Sequence, residues 1–96
     1  NTTLDIDSGE LISGENSIRL SSKEFQMMRL LLKEGKNNIS KNLFLEKIWG
    51  YDSDATENNV EVYIGFLRKK LKTLSSDISI ITGRGLGYHL EIRGEK

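Results

Sequence analysis

Asn58 to Leu74 reads NNVEVYIGFLRKKLKTL, and the fold turns on whether this stretch is a strand or a helix. Its first half alternates, with Val60, Val62, Ile64 and Phe66 at every second position, which is the strand pattern. Its second half keeps Leu67, Leu71 and Leu74 at steps of four and three, which is the helical one. At about 100° per residue, Val60, Ile64, Leu67, Leu71 and Leu74 fall on a single stripe. On a strand the alternation fails after Phe66. The helical reading accounts for the whole length and predicts a helix over 56–74, although Gly65 counts against it by about 1 kcal/mol relative to alanine. Opposite the apolar stripe such a helix carries Asn58, Asn59, Val62, Phe66, Lys69 and Thr73. That second face is neither core nor purely polar.

Working outward, the order of elements is strands, helix, helix, longer helix, hairpin. Upstream, LSSKEF has the marks of a helix start. Ser21 can cap, Glu24 completes a capping box, and Leu20 with Phe25 can form a hydrophobic staple. Phe25, Met28, Leu31 and Leu32 recur at helical spacing, and Gly35 is the stop. A short extended bridge at Ile39 precedes Ser40, which caps a second helix carrying Leu43, Phe44, Ile48 and Trp49 and ending at Gly50. Residues 1–20 hold three short apolar segments, Leu4-Asp5-Ile6, Leu11-Ile12 and Ile18-Arg19-Leu20, separated by glycine turns, and are expected to form a small antiparallel meander. YDSDATEN is a polar loop in which Asp54 with Glu57, or Thr56 alone, can cap the long helix. Downstream, SSD breaks that helix. ISIITG and GYHLEI then read as two strands around the glycine-rich turn GRGLG.

The chain has 96 residues, 36% of them hydrophobic and 29% charged, with no cysteine and one histidine. Ninety-six residues suit one domain, and no apolar run approaches the ~20 residues that span a bilayer. Without cysteine there is no disulfide and no thiolate metal site. Formal net charge is +0, but the cations are clustered. Arg68, Lys69, Lys70 and Lys72 form one basic block and Arg84 lies further on, whereas Asp5, Asp7, Glu10 and Glu15 make the N-terminal end acidic. Enzyme chemistry finds little support. His89 is a strand histidine, no G-x-S-x-G motif accompanies it, no Cys/His cluster can hold zinc, and Asp52, Asp54 and Glu57 lack a calcium-loop spacing. No catalytic residue, metal site or cofactor is expected.

The second face of the long helix has chemistry that suits a major groove. Asparagine amides can bond base edges, with adenine the bidentate match, and apolar side chains such as Val62 and Phe66 can meet a thymine methyl. Arg68, Lys69 and Lys72 can reach phosphates. The competing reading is that Val62 and Phe66 pack against the hairpin or the YDSDATEN loop, and spacing alone leaves the two open.

Four pieces then carry a resemblance: LSSKEFQMMRLLL (20–32), ISKNLFLEKIWGY (39–51), NNVEVYIGFLRKKL (58–71) and IITGRGLGYHLE (80–91). Together, in this order and spacing, they resemble the winged-helix effector domain of OmpR/PhoB-type two-component response regulators, from about Leu4 to Glu91. The resemblance implies an α+β fold: a winged helix-turn-helix with an N-terminal four-stranded antiparallel sheet, three helices and a C-terminal β-hairpin wing. Residues 1–96 would form this one DNA-binding effector domain, in the cytoplasm, with a receiver domain upstream. The implied function is sequence-specific binding of double-stranded promoter DNA and regulation of transcription, under phosphorylation by a cognate sensor kinase that acts through the receiver. The isolated domain would be monomeric and the full-length protein a dimer on tandem half-sites.

By match to the family's motifs, Asn58, Asn59, Val62, Tyr63, Phe66 and Lys69 would face DNA. Basic residues often stand where this chain has Gly65 and Phe66, so arginine readout of guanine is lost there and an A/T-rich target is expected. Arg84 at the wing tip would enter a minor groove, whose negative potential attracts arginine where it is narrow, with Thr82 on a phosphate. A solvated turn is the plainer reading of GRGLG. Ser40 and Lys41 would offer the start of the second helix to a phosphate. Trp49 would lie near the sugar-phosphate backbone, its ring mostly buried. Tyr51, Asp52, Asp54 and Glu57 fall in the loop that in this family meets RNA polymerase, and an ordinary solvated loop is the alternative. The rival to DNA binding is a winged-helix module that binds protein only.

Overall fold

The computed structural model describes residues 2–50 and 53–93. Three strands, β1 (Thr2–Asp5), β2 (Glu10–Ser13) and β3 (Asn16–Arg19), precede α1 (Ser22–Glu34), α2 (Lys41–Phe44) with a π-helical continuation over Leu45–Trp49, and α3 (Glu57–Thr73). The hairpin β4 (Ile78–Gly83) and β5 (Gly87–Ile92) follows.

The N-terminal sheet has three strands among the described residues, in the order β1-β2-β3, and not the four that the resemblance implies. Asp5 pairs with Glu10 and Ser13 with Asn16. Three four-residue strands and two turns therefore fill everything from Thr2 to Arg19, in step with the three apolar segments. Ile6 is no part of a strand. The Asp5 carboxylate accepts the N–H groups of Asp7 at 3.0 Å and Ser8 at 3.3 Å, and this local turn ends β1 and leaves Ile6 exposed. Leu4, Leu11 and Ile18 lie opposite one another in register, and Leu11 is fully buried.

α1 starts on the expected capping box. The Ser21 hydroxyl accepts the Glu24 N–H at 3.3 Å and the Glu24 carboxylate accepts the Ser21 N–H at 2.7 Å. That carboxylate also takes the Lys70 ammonium at 2.6 Å, and Lys70 donates further to the Arg19 carbonyl at 3.1 Å. Glu24 is only 3% exposed. Burial works to raise its pKa, but the Lys70 hydrogen bond and charge and the Ser21 donors outweigh it and hold the carboxyl below the ordinary glutamate value. One buried carboxylate thus joins the end of β3, the start of α1 and the flank of α3.

α3 resolves the ambiguous stretch as one unbroken helix through Gly65. Asn59 Oδ1 accepts the Thr56 N–H at 2.8 Å, so asparagine three residues into the helix does the work of the capping-box glutamate. At the far end Ser75 N–H reaches the Lys72 carbonyl and Ser76 N–H the Leu71 carbonyl, both at 3.0 Å, the paired bonds of a Schellman stop. Val60, Ile64, Leu67, Leu71 and Leu74 are all buried, in one cluster with Met27, Met28 and Leu31 of α1, Phe44 and Ile48, and Ile80, Tyr88 and Leu90 of the hairpin. Each such side chain contributes about 1.5–3 kcal/mol by its burial.

The second helix departs from expectation. Ser40 caps it, its hydroxyl accepting the Leu43 N–H at 3.0 Å. Beyond Phe44, however, the turns widen to π geometry, and the Gly50 N–H closes on the Leu45 carbonyl at 2.8 Å. Ile39 makes the expected bridge. It exchanges backbone hydrogen bonds with Tyr88 at 2.8 and 2.9 Å, adding a one-residue third rung to the hairpin. Gly87 makes this approach possible: a Cβ there would lie 1.9 Å from the Ile39 carbonyl oxygen, and its φ is +107°.

Candidate nucleic-acid interface

Three elements meet on one side of the molecule: the exposed face of α3, the start of α2 and the hairpin. A cleft between them is lined by Ser40, Lys41, Asn42, Glu57, Thr82 and Leu86, with the wing glycines. α3 presents three arcs around it. Facing outward, opposite the buried stripe, are Asn58, Val62, Gly65, Phe66, Lys69 and Thr73, all exposed. Val62 is 44% and Phe66 48% exposed, so neither packs into the hairpin or the interior.

Toward the wing lie Glu57, Glu61 and Arg68. The Arg68 guanidinium donates to the Ile80 carbonyl through Nε at 3.1 Å and Nη2 at 3.0 Å, and Nη2 also reaches the Thr82 hydroxyl at 2.9 Å. Its carbon sits 5.7 Å from the Tyr88 ring centroid, within cation–π range. Arg68 is therefore first a brace: it satisfies an edge carbonyl of β4 and fixes the hairpin's angle to α3. The sequence suggests a phosphate ligand for both Arg68 and Thr82. The structure joins the two to each other.

Glu61 takes the Lys41 ammonium at 2.6 Å, and this hydrogen bond is the main reason the Lys41 pKa is raised. The start of α2 is thus tied to α3. Lys41 would have to share its charge with Glu61 to meet a phosphate.

On the other flank, Tyr63 stands edge-on between Trp49 and Phe66, with ring centroids 5.5 and 5.4 Å away. Trp49 is partly buried and packs against the core, as expected, and Lys23 lies 5.7 Å from its ring centroid. Asn59 also points to this side. With its Oδ1 on the Thr56 N–H, it serves the helix cap, and bidentate adenine pairing would compete with that bond. Asn58 carries no such bond among the described residues.

The wing tip is a three-residue turn, since Gly83 pairs with Gly87. Arg84 is exposed there, and Leu86 beside it is 62% exposed. Lys69, Lys72 and Arg84 have no ion-pair partner among the described residues. Of the acidic loop, Tyr51 and Asp52 lie outside the described residues, while Asp54 and Glu57 are exposed. His89 sits in β5 with Nδ1 2.8 Å from Asn38 Oδ1 and Nε2 3.0 Å from Glu91, a partnered strand histidine. No group of three metal-ligating side chains occurs among the described residues, and none of their helices is long and apolar enough to cross a membrane.

Sequence reading missed the Arg68 brace and the Lys41–Glu61 pair, because both join elements distant in sequence and neither has a local signature. Leu86 was visible as an apolar residue inside a glycine-rich turn.

A helix pair followed by a longer helix with an outward face, and a hairpin braced at its side, define a winged helix-turn-helix domain. The family model "Transcriptional regulatory protein, C terminal" matches residues 14–90, and the chain belongs to that family, the effector domains of OmpR/PhoB-type response regulators. It is 47% identical over 93 residues to the transcriptional regulatory protein DltR of Streptococcus agalactiae, covering 97% of this chain and 42% of DltR. Among solved structures, the C-terminal domain of the nisin resistance regulator NsrR, a lantibiotic response regulator, superposes with TM-score 0.78 at 37% identity, covering 93% of this chain and 89% of that one. The DNA-binding domain of Bacillus subtilis CssR gives 0.82 at 27%, covering 95% and 100%. The chain thus spans less than half the length of DltR.

Proposed function

We propose that the chain is the output domain of a two-component response regulator and binds promoter DNA sequence-specifically, with α3 in the major groove and Arg84 of the wing at the adjacent minor groove. The observation that carries this reading is the outward arc of α3. Asn58, Val62, Phe66 and Lys69 stand in solvent with no structural duty to the core, on a helix whose other side is fully packed. A major groove about 12 Å wide admits one such helix. The name of the CssR domain, and the family, favour DNA as what this arc meets.

Within that reading the residues divide by role. Asn58 is the better-placed amide for adenine, Val62 and Phe66 offer apolar contact to thymine methyls, and Lys69, Lys72 and Arg84 meet phosphates or, for Arg84, a narrow minor groove. Arg68, Thr82 and Lys41 act mainly by fixing the wing and the start of α2. The target is then A/T-rich at the contacted pairs. Regulation through an upstream receiver and its sensor kinase, dimers on tandem half-sites and contact of the segment holding Tyr51, Asp52, Asp54 and Glu57 with RNA polymerase extend the same proposal to the longer protein.

Selection of bound sites from random duplex DNA, followed by titration at several salt concentrations, tests it. Affinity should fall with salt at a log–log slope of about −0.9 per neutralised phosphate, and Lys69→Ala and Arg84→Ala should each flatten the slope by about one unit. G-rich selected sites would overturn the A/T assignment. No enrichment of any sequence, with flat salt dependence, would favour the protein-binding alternative, for which the aromatic row Trp49–Tyr63–Phe66 is the natural surface.

A further inference from the structure

Gly65 sits in the middle of the outward arc of α3, in a helix interior where glycine is the least favourable residue after proline. The backbone does not call for it, since its φ is not positive, unlike that of six other glycines. Packing does not call for it either, since a Cβ at Gly65 would meet nothing within 4 Å. The side chains one turn away on the wing side are drawn off, Glu61 to Lys41 at 2.6 Å and Arg68 to the Ile80 carbonyl and Thr82 at 3.0 and 2.9 Å. Phe66 leans on Tyr63. The result is a patch of bare helix backbone between Val62 and Lys69.

Val62 on the adjoining turn and Asn58 about two turns toward the helix start, the side chains that would touch bases, are short. A helix with its side chains is about 10–12 Å across, nearly the width of the major groove, so a side chain at Gly65 would fill the gap between Val62 and Lys69 into which a base edge could otherwise enter. We infer that Gly65 is a positioning residue for DNA recognition. By leaving the centre of α3 bare, it sets the depth at which the helix seats, and only at that depth do the Asn58 amide and the Val62 methyls reach the bases. The inference rests on the DNA-binding reading of α3. It adds that specificity here depends on a missing side chain, flanked by the Lys41–Glu61 pair and the Arg68 brace, which keep neighbouring side chains out of the space.

The test is a double-mutant cycle with a selected duplex and a random-sequence duplex as probes, using wild type, Gly65→Ala, Asn58→Ala and the double variant, each checked by thermal melting. Gly65→Ala should melt no lower than wild type. It should bind the selected duplex at least about tenfold more weakly, the worth of one lost base contact, and leave random-sequence binding and its salt slope unchanged. Asn58→Ala should cost about tenfold in the wild type and less than about twofold in the Gly65→Ala background, because the amide no longer arrives. Additive losses overturn the inference, as does a selected-to-random preference in Gly65→Ala within about twofold of wild type. In both cases DNA binding itself stands. If selection with wild type enriches no sequence, the reading of α3 falls, and this inference with it.

Discussion

The turn end of the wing and the front of α3 each contain a glycine, and the two differ in backbone and in packing. At Gly87 a side chain would run into the Ile39 carbonyl, φ is in the left-handed half of the map, and Tyr88, Ile39, Gly35 and Arg68 close around the hairpin with backbone and guanidinium hydrogen bonds. At Gly65 the helix is ordinary and the space in front is empty. The first region is over-determined: several independent contacts fix the same geometry. The second is under-determined, and its residues cost the fold a little without returning stability. Stability and partner recognition are therefore read from different residues, even on a single helix.

The sharpest way to break this comparison is Gly87→Ala. A Cβ 1.9 Å from the Ile39 oxygen forces the bridge apart, and positive φ adds about 1–2 kcal/mol for any residue with a Cβ. With overpacking of about 1–3 kcal/mol, the expected loss is about 3 kcal/mol or more by urea denaturation. A loss under about 1 kcal/mol would mean that the turn end of the wing is looser than its hydrogen bonds imply.

Next in size is Glu24→Gln. It keeps the shape of the capping box and removes the charge that Lys70 meets, and should cost about 1.5–3 kcal/mol, the range of a charged hydrogen bond. The pH dependence follows from the same group. Its folded pKa lies below the ordinary value of 4.5, so the stabilisation is fully present above about pH 4.5 and is lost as pH falls through the lower folded value. Wild type should lose stability steeply below about pH 4.5, and Glu24→Gln should do so less steeply. Parallel acid titrations of the two would remove the buried carboxylate from the account.

Arg68→Met tests the brace between the two regions. The stem is kept and three hydrogen bonds go, leaving the Ile80 carbonyl to water at the edge of β4. The expected cost is about 1–2 kcal/mol, with faster amide exchange in β4 and β5 but unchanged exchange in the buried part of α3. Uniformly faster exchange would show that Arg68 holds the whole fold and not the wing angle.

How far the sequence discloses all this follows the same division. The elements were legible because each has a local signature: the capping box at Ser21, the 3.6-residue stripe from Val60 to Leu74, the glycine turn of the wing. The exposure of Val62 and Phe66 did not follow from that stripe, because spacing alone is equally compatible with packing of this face against a neighbouring element, and the exposure came from the structure. The fourth strand came from family resemblance, whereas the three apolar segments point to the three strands present among the described residues. The π-helical turns after Phe44 have no periodic signal, because a single widened turn shifts the phase of only one or two side chains. Arg68 read as a free cation because its bond partners lie 12 and 14 residues away, across a helix end and a turn. Asn59 read as a base-reading amide because nothing local distinguishes that role from a cap.

The smallest expected effect sits at the front of α3. Val62→Thr replaces one methyl by a hydroxyl on a residue that is 44% exposed and leaves the volume nearly unchanged. Its stability change should stay within about 0.5 kcal/mol, as for exposed substitutions without a special contact, although threonine's lower helix propensity acts in the unfavourable direction. Binding should respond quite differently. One γ-methyl remains to meet a thymine methyl, but the new hydroxyl must be desolvated beside it, so affinity for an A/T-rich selected site should drop by about two- to threefold while melting hardly moves. If Val62→Thr instead destabilised the chain by more than about 1.5 kcal/mol, Val62 would belong to the packed side of the molecule, and the front of α3 would no longer contrast with the turn end of the wing.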